Sequence, residues 1–250
     1  MKWSPCVSSA ISGKVGPGTP LVWGHRGASG VAPENTLRAF RLGLDAGATG
    51  TELDVRRTAD DRLAVHHDAE LADGRLIIDL TMAELPSEIP PLEAVLELHA
   101  NAAVNVEIKS DPDDKDFDPA YPVVDLVLAL LVDEPTSRTG ARIVTSFDHN
   151  AIATVRQRCV APDQVSTGLI TMNPLIGTSF ERLRTEGHRA VMVHHRVITS
   201  AMVEKASDFD VFLGAWTVNS EKAMDRMRRL GVDAIMTDTP EVGVVRYGAG

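Results

Sequence analysis

Eight short runs of β-forming residues alternate with helical segments along most of the chain, and this alternation restricts the fold more than any other feature. The runs are centred near residues 22, 53, 106, 143, 167, 192, 213 and 235. Strands that alternate with helices predict βαβ units and a parallel sheet. Eight such units predict a closed (β/α)8 barrel, a TIM barrel. An open doubly wound sheet is the alternative, but Gly24-His25-Arg26-Gly27 after the first run lacks the spacing of a glycine-rich phosphate loop.

The length and composition are those of one large globular domain. The chain has 250 residues, of which 44% are hydrophobic and 24% are charged, and barrels of this length are commonly undivided. We predict a barrel domain over residues 20–250. Residues 1–19 are rich in proline, glycine and serine and lack the continuous apolar core of a signal peptide, so we predict a flexible N-terminal arm there.

Net charge, cysteine content and hydropathy narrow the function further. A formal charge of −10 argues against nucleic acid as a partner, because no basic surplus is available to neutralise a phosphate backbone. Cys6 and Cys159 are the only cysteines, which favours two free thiols in a reducing compartment. No apolar run reaches the ~18 residues of a membrane span. We therefore expect a cytoplasmic protein with a small-molecule substrate; the sequence does not indicate its oligomeric state.

Three carboxylates lie where predicted strands run out into loops. Glu52 and Asp54 are two residues apart on one strand, so their side chains point to the same side, and Glu107 ends a neighbouring strand. Carboxylates placed side by side repel one another unless a proton or a metal lies between them. Oxygen ligands suit Mg²⁺ or Ca²⁺ better than Zn²⁺, so we predict a site for a divalent cation. The alternative is a set of ion pairs with three basic residues: Arg26, Arg56 and Lys109.

Histidines and basic residues accompany these carboxylates. His25 and His67 follow predicted strands and are candidates for a general acid and a general base, because an imidazole titrates near neutral pH. His66 competes with His67 for this role, and strand periodicity does not decide between them. Arg26 and Lys109 are candidates to contact phosphate oxygens, the first as a planar fork and the second as a point charge.

Other residues carry weaker signals. Trp216 ends the seventh run and either packs against the carbon face of a small polyol or lies at the rim of the core. His194-His195 has no acidic neighbour in the sequence, and we expect no catalytic duty for it. The acidic run Asp111–Asp116 is typical of a solvated loop. Asp238 is interpreted as a cap of the last helix.

Taken in order, several motifs resemble the glycerophosphodiester phosphodiesterase family. They are His25-Arg26-Gly27, Pro33-Glu34-Asn35-Thr36, Glu52-Leu53-Asp54, His67-Asp68, Glu107-Ile108-Lys109, Ser146-Phe147, Trp216-Thr217-Val218-Asn219, Gly231-Val232-Asp233 and Thr237-Asp238-Thr239-Pro240. The similarity extends over residues 21–245. It implies a (β/α)8 barrel that hydrolyses glycerophosphodiesters to glycerol 3-phosphate and an alcohol.

The resemblance also implies a role for each candidate residue. By this similarity the three strand-end carboxylates hold the metal, and His25 and His67 form the acid/base pair. His67 is preferred to His66 because the family's histidine directly precedes an aspartate. Arg26 and Lys109 would contact the phosphate of the substrate.

One segment departs from the family pattern. Only residues 69–88 separate His67-Asp68 from Ile89-Pro90-Pro91-Leu92-Glu93, whereas family members usually carry a longer insertion that helps to roof the pocket. The short segment implies a more open site. Two alternatives to the expected activity are left open. One is a lysophospholipase D-type or cyclising phosphodiesterase that uses the same site on lysophospholipids, and the other is a non-catalytic ligand-binding barrel.

Overall fold

A computed structural model of the chain describes residues 18–132 and 140–247. Within these ranges the strands are β1 Leu21–His25, β2 Gly50–Arg57, β3 Leu63–Val65, β4 Ala103–Ile108, β5 Arg142–Ser146, β6 Val165–Thr171, β7 Ala190–His194, β8 Phe212–Trp216 and β9 Ala234–Thr237. The α-helices are α1 Leu37–Asp45, α2 Leu92–Leu98, α3 Pro122–Val132, α4 His149–Arg158, α5 Gly177–Thr185, α6 Ser200–Asp208, α7 Glu221–Leu230 and α8 Pro240–Tyr247. The predicted N-terminal arm lies outside the described residues except for its last two positions, and so does Cys6.

Eight of these strands close into a parallel barrel in the order β1-β9-β8-β7-β6-β5-β4-β2, and a pairing between β1 and β2 completes the ring. Each of the eight predicted runs lies in one barrel strand, so the predicted (β/α)8 fold is confirmed. The additional strand β3 pairs with the end of β2 in the antiparallel direction, with Val65 opposite Val55. It leads the chain from β2 to the loop that carries His67.

Residues alternate along each barrel strand between the helix layer and the barrel interior. Leu53 and Val106 belong to the cluster that packs beneath the first helices, together with Phe40. The interior is filled by a separate apolar cluster that includes Trp23 and Met192. Because this cluster closes the lower part of the barrel, only the mouth at the carboxyl ends of the strands is left for polar side chains.

Several helices begin and end at residues with typical capping properties. The Thr36 side chain caps α1 by accepting a hydrogen bond from the backbone N–H of Ala39 at 3.2 Å, and Ser220 caps α7 in the same way. Helix α7 ends at Gly231, whose φ of 80° is the left-handed conformation that terminates many helices. None of the helices in residues 18–132 and 140–247 is both long enough and apolar enough to cross a membrane.

Candidate active site

The register of three neighbouring strands brings the predicted polar residues side by side. Pairing of β1 with β2 sets His25 next to Glu52, and pairing of β2 with β4 sets Asp54 next to Glu107 and Glu52 next to Asn105. All of these residues lie on the inward-facing positions of their strands, near the carboxyl ends. In (β/α)8 enzymes the active site is built at this end of the barrel.

The three predicted carboxylates meet in one buried group. One carboxylate oxygen from each of Glu52, Asp54 and Glu107 lies within 4.8 Å of the other two, and the residues are only 3%, 0% and 7% exposed. Asp54 Oδ2 accepts a hydrogen bond from Asn35 Nδ2 at 2.8 Å, whereas Asp54 Oδ1 is buried without a hydrogen-bond partner. An oxygen-only group with an unsatisfied buried oxygen is chemically suited to a hard divalent cation.

Two basic side chains partly offset the charge of this group. Lys109 Nζ lies 2.7 Å from Glu107 Oε1 and 3.6 Å from Asp54 Oδ1. Arg26 Nε lies 3.1 Å from Asp54 Oδ2, and its Nη1 donates to Glu34 at 2.9 Å. The ion pairs considered as an alternative to a metal site are therefore present for Arg26 and Lys109, and they coexist with the convergent carboxylates.

Arg56 does not belong to this group, although it lies on the same strand as Glu52 and Asp54. Its guanidinium pairs with Asp116 at 2.7 Å and with Asp114 at 3.0 Å. Its Nε donates to the backbone oxygen of His67 at 2.8 Å. The acidic run is thus not the freely solvated loop expected from the sequence, because two of its members bind a buried arginine that also holds the His67 loop.

Burial and crowding separate the pKa values of the three carboxyl groups. Burial raises the pKa of Glu52 to about 8, and the neighbouring Asp54 charge adds to the effect. Burial and Asp54 likewise raise the pKa of Glu107 to about 7. Burial would also raise the pKa of Asp54, but the charges of Lys109 and Arg26 outweigh it and lower that pKa. Without a cation, the group therefore holds less than its full negative charge at neutral pH.

His25 is fixed by a carboxylate from the opposite end of the chain. Its Nδ1 lies 2.7 Å from Asp238 Oδ1, and Ser29 Oγ donates to the same oxygen at 3.1 Å. The other oxygen of Asp238 accepts from the side-chain amide of Asn219. The second ring nitrogen, His25 Nε2, faces the carboxylate group and lies 3.9 Å from Glu52 Oε2.

His67 also lines the cavity and is likewise paired with an aspartate. Its Nδ1 lies 2.7 Å from Asp68 Oδ1, and the ring lines the cavity. The neighbouring His66 instead places its Nδ1 2.9 Å from the backbone oxygen of Asp68 and does not line the cavity. The structure thus distinguishes the two histidines, which strand periodicity did not.

The two cavity histidines differ in proton affinity. Burial lowers the pKa of His25, but the hydrogen bond to Asp238 and the charge of Glu52 outweigh burial and raise it above its usual value. Burial also lowers the pKa of His67, and there the opposing charge of Asp54 does not compensate, so its pKa stays below the usual value. Unequal affinities of this kind are what an acid/base pair requires.

The turn after β1 explains why glycines flank His25-Arg26. A Cβ on Gly24 would lie 2.8 Å from the carbonyl carbon of Gly27, and one on Gly27 would lie 2.6 Å from the carbonyl carbon of Ala39. Gly27 also has a φ of 82°, which favours glycine. This tight turn places the backbone nitrogen of Arg26 2.9 Å from the backbone oxygen of Glu52 and 3.1 Å from Glu52 Oε2.

The cavity has a volume of about 240 Å³ and is polar on one side and apolar on the other. Its apolar side is formed by five residues: Phe147, Ile170, Met192, Trp216 and Met236. Trp216 is held by a hydrogen bond from Nε1 to the backbone oxygen of Met192 at 3.0 Å, and the rings of Phe147 and His194 pack edge-on against it. A small polar molecule with one hydrocarbon face fits this division.

Three residues with contacts in the site were not identified as site residues from the sequence. Asp238 does not serve as the expected helix cap, because its carboxylate binds His25, Ser29 and Asn219. Asn35, named from the sequence only as part of a family motif, binds Asp54 from a left-handed backbone conformation with a φ of 56°. Asn105 lines the cavity, and its Nδ2 is buried without a hydrogen-bond partner; its position two residues before Glu107 was the available signal.

A family profile and a related protein both indicate the same enzyme family for this chain. A sequence profile of the glycerophosphoryl diester phosphodiesterase family matches residues 25–242. A glycerophosphodiester phosphodiesterase of Caldanaerobacter subterraneus subsp. tengcongensis is 32% identical over 250 aligned residues, which cover 91% of this chain and 98% of that protein.

Solved structures also share the fold. The crystal structure of a glycerophosphodiester phosphodiesterase from Thermotoga maritima matches with a TM-score of 0.72 and 26% identity, covering 89% of this chain and 96% of that one. An Oleispira antarctica phosphodiesterase in complex with the product sn-glycerol-3-phosphate matches with a TM-score of 0.78 and 22% identity, covering 91% of this chain and 96% of that one. On its sequence match, the chain belongs to the glycerophosphoryl diester phosphodiesterase family of enzymes.

Proposed function

We propose that the chain hydrolyses glycerophosphodiesters to glycerol 3-phosphate and an alcohol, with a divalent cation bound in the barrel mouth. The observation that carries this proposal is the convergence of three buried carboxylates in a cavity also lined by two histidines, whose Nδ1 atoms each lie 2.7 Å from an aspartate oxygen. Family membership supports the reaction class, and the Oleispira antarctica phosphodiesterase was solved with the product named here.

Glu52, Asp54 and Glu107 would hold the cation. Their oxygens are close enough to share one ion, Asp54 Oδ1 lacks a hydrogen-bond partner, and the absence of nitrogen or sulfur ligands from this trio favours Mg²⁺ or Ca²⁺. When bound, the cation supplies positive charge to the phosphate and to the more highly charged transition state. The same charge would lower the pKa values of Glu52 and Glu107, so that all three carboxylates ionise.

His25 and His67 transfer the protons of the reaction. One imidazole takes a proton from the attacking water, and the other gives a proton to the oxygen of the departing alcohol. Asp238 and Asp68 bind the Nδ1 atoms, which fixes the ring orientation and leaves Nε2 for the substrate. An aspartate behind a catalytic histidine has this orienting effect in other hydrolases.

The basic residues and the apolar wall position the substrate. Lys109 and Arg26 line the polar side of the cavity and would contact phosphate oxygens, Lys109 as a point charge and Arg26 through its fork. Trp216 lies on the apolar side, where its ring suits the carbon face of glycerol. A cavity of about 240 Å³ accommodates the glycerophosphate moiety, so the alcohol of the diester would extend through the mouth.

A substrate panel tests the proposal. Purified chain, freed of metal with a chelator, is assayed with glycerophosphocholine, glycerophosphoethanolamine and lysophosphatidylcholine, each with Mg²⁺, Ca²⁺ or chelator, and the phosphorus products are identified by NMR. We expect glycerol 3-phosphate from the first two substrates and dependence on added cation. Lysophosphatidic acid or a cyclic phosphate as the dominant product would favour the lysophospholipid alternative. Full turnover in chelator, or no turnover of any diester, would contradict the proposal.

A further inference from the structure

A second group of titratable side chains lies apart from the barrel mouth. One ligand atom from each of His149, Glu186 and His188 lies within 4.8 Å of the other two, and none of the three lines the cavity. His149 begins α4, whereas Glu186 and His188 lie between α5 and β7. The group therefore connects two elements of the helix layer that are separated in the sequence.

The distances within this group suit a tetrahedral metal ion. Glu186 Oε2 lies 2.9 Å from His149 Nε2 and 3.9 Å from His188 Nε2. Zinc binds histidine nitrogen and carboxylate oxygen at about 2.1 Å, which places neighbouring ligand atoms roughly 3.4 Å apart in a tetrahedral site. The two distances lie on either side of that value, so small side-chain movements are sufficient to bring the three atoms onto one ion.

His188 supplies an independent indication of a ligand. Its side chain is fully buried, with 0% exposure, and its Nε2 lacks a hydrogen-bond partner. Its Nδ1 lies 2.8 Å from Thr167 Oγ1, so the tautomer that donates from Nδ1 leaves a lone pair on Nε2 within this group. A buried nitrogen without a partner is costly. Histidines that bind metals usually donate their other ring N–H in this way.

We propose that His149, Glu186 and His188 form a zinc-binding site that joins α4 to the segment between α5 and β7. Two imidazoles with one carboxylate are a ligand set typical of zinc, in contrast to the oxygen-only group in the barrel mouth. His149 and Glu186 are 31% and 33% exposed, so water can complete the coordination. The site would stabilise the helix layer and take no part in the phosphodiester reaction.

Arg182 competes with zinc for two of these ligands. Its Nη2 lies 3.0 Å from His149 Nε2, and its Nε donates to Glu186 Oε1 at 2.8 Å. The Arg182 side chain is 65% exposed, so the guanidinium can move into solvent when the ion binds. The substitution Arg182→Ala removes the competing guanidinium and is therefore expected to tighten zinc binding. An ion-pair network that binds no metal would not show this effect.

Zinc titration of the full chain tests the site. The background is Glu52→Gln/Glu107→Gln, which disables the group in the mouth, and ZnCl₂ is titrated by calorimetry after chelator treatment. We expect one zinc per chain and a rise in Tm. His149→Ala should lose both, and Thr167→Val, which removes the hydroxyl that orients His188, should weaken binding roughly 10- to 100-fold. The matched control is His195→Ala, a histidine outside both groups, which should bind as the background does.

Two outcomes would overturn the proposal. One is a folded background variant that binds no zinc, and the other is zinc binding that His149→Ala leaves unchanged. The wild-type chain provides the same comparison if the background variant does not fold, because His149→Ala should then reduce the amount of bound zinc by one equivalent per chain.

Discussion

Glu52 and Glu107 are placed where a folded chain without a cation gains little from their charges, because burial and the neighbouring Asp54 raise both pKa values. The pKa of Glu52 is raised to about 8 by burial and by Asp54, above its value of 4.5 in an unfolded chain. The unfolded chain releases this proton first as the pH rises, so the contribution of Glu52 to stability falls between pH ~4.5 and ~8. Such an arrangement indicates a group retained for binding and not for folding.

The substitution Glu52→Gln separates these two effects. It keeps the shape of the side chain and removes its charge, so we expect cation-dependent turnover to fall by at least about a hundredfold. In chelator at pH 7 to 8, the variant should unfold at the same denaturant concentration as the wild type or a higher one. Glu97→Gln, an exposed position on α2, is the control. Wild-type turnover in Glu52→Gln would remove this carboxylate from the site.

Asp238 is expected to act on the reaction through His25. Asp238→Asn weakens the hydrogen bond that raises the His25 pKa and removes the smaller effect of the Asp238 charge, so the limb of the pH–rate profile that reports His25 should move to lower pH. Turnover should fall, but less than in His25→Ala, for which we expect a loss of at least about a hundredfold. An unshifted profile, identical to that of the exposed control Asp163→Asn, would show that Asp238 has no effect on His25.

Some of these site residues were predictable from the sequence and others were not. His25, Glu52 and Glu107 could be identified because each lies within a run of β-forming residues that enters the barrel mouth. Asp238 also ends a strand, but its partner His25 is 213 positions away, and only barrel closure between β1 and β9 brings them together. A local pattern does not contain that contact, so helix capping was the nearer interpretation and was wrong.

At the level of elements, the turn between β1 and α1 is the least replaceable segment of the site. Gly27 combines a positive φ with backbone and side-chain neighbours at α1, whereas Gly74 has a φ of 86° and nothing within 4 Å of a Cβ. Gly74→Ala should cost about 1 kcal/mol of unfolding free energy through backbone strain alone. Gly27→Ala should lower the unfolding free energy by about 1–3 kcal/mol more, because the added methyl group would push α1 away from β1.

Chemical denaturation of the two variants measures this difference directly. Gly27→Ala should also lose activity, because the same turn aims the Arg26 amide at Glu52 and places His25. Equal stabilities for Gly27→Ala and Gly74→Ala would mean that the close contact with Ala39 does not constrain the turn.

The elements themselves were largely predictable. Each barrel strand carries a β-forming run, and residue types that favour helix ends, Thr36 and Gly231, lie at the start of α1 and the end of α7. Contacts of the long connections were not predictable, since Arg56 binds Asp114 and Asp116 from a loop some 60 residues later. Nothing in the local composition distinguishes that acidic run from a solvated one.

On the scale of the whole molecule, burial of His99 makes stability depend on pH. Burial lowers the pKa of His99 from 6.5 to about 4, and the side chain is fully buried. His99 therefore binds a proton near pH 6.5 in the unfolded chain but only near pH 4 in the folded chain. Stability is full above pH ~6.5 and declines as the pH falls toward 4, by on the order of 3 kcal/mol from this group.

Unfolding measured by denaturant between pH 7 and 4.5 checks this dependence. His99→Gln retains a donor for the backbone oxygen of Val95, which His99 Nδ1 contacts at 2.8 Å, and should lower stability at pH 7 but flatten its decline with acid. A variant whose decline is as steep as that of the wild type would assign the dependence to other groups.

The central claim is that the barrel mouth binds one cation between three carboxylates and two histidines. Anomalous diffraction from crystals soaked in Mn²⁺ and glycerol 3-phosphate measures this most directly. We predict one strong peak bonded to oxygens of Glu52, Asp54 and Glu107, with the phosphate beside it and His25 and His67 on either side. A mouth without an anomalous peak, or a phosphate bound elsewhere on the chain, would contradict the claim.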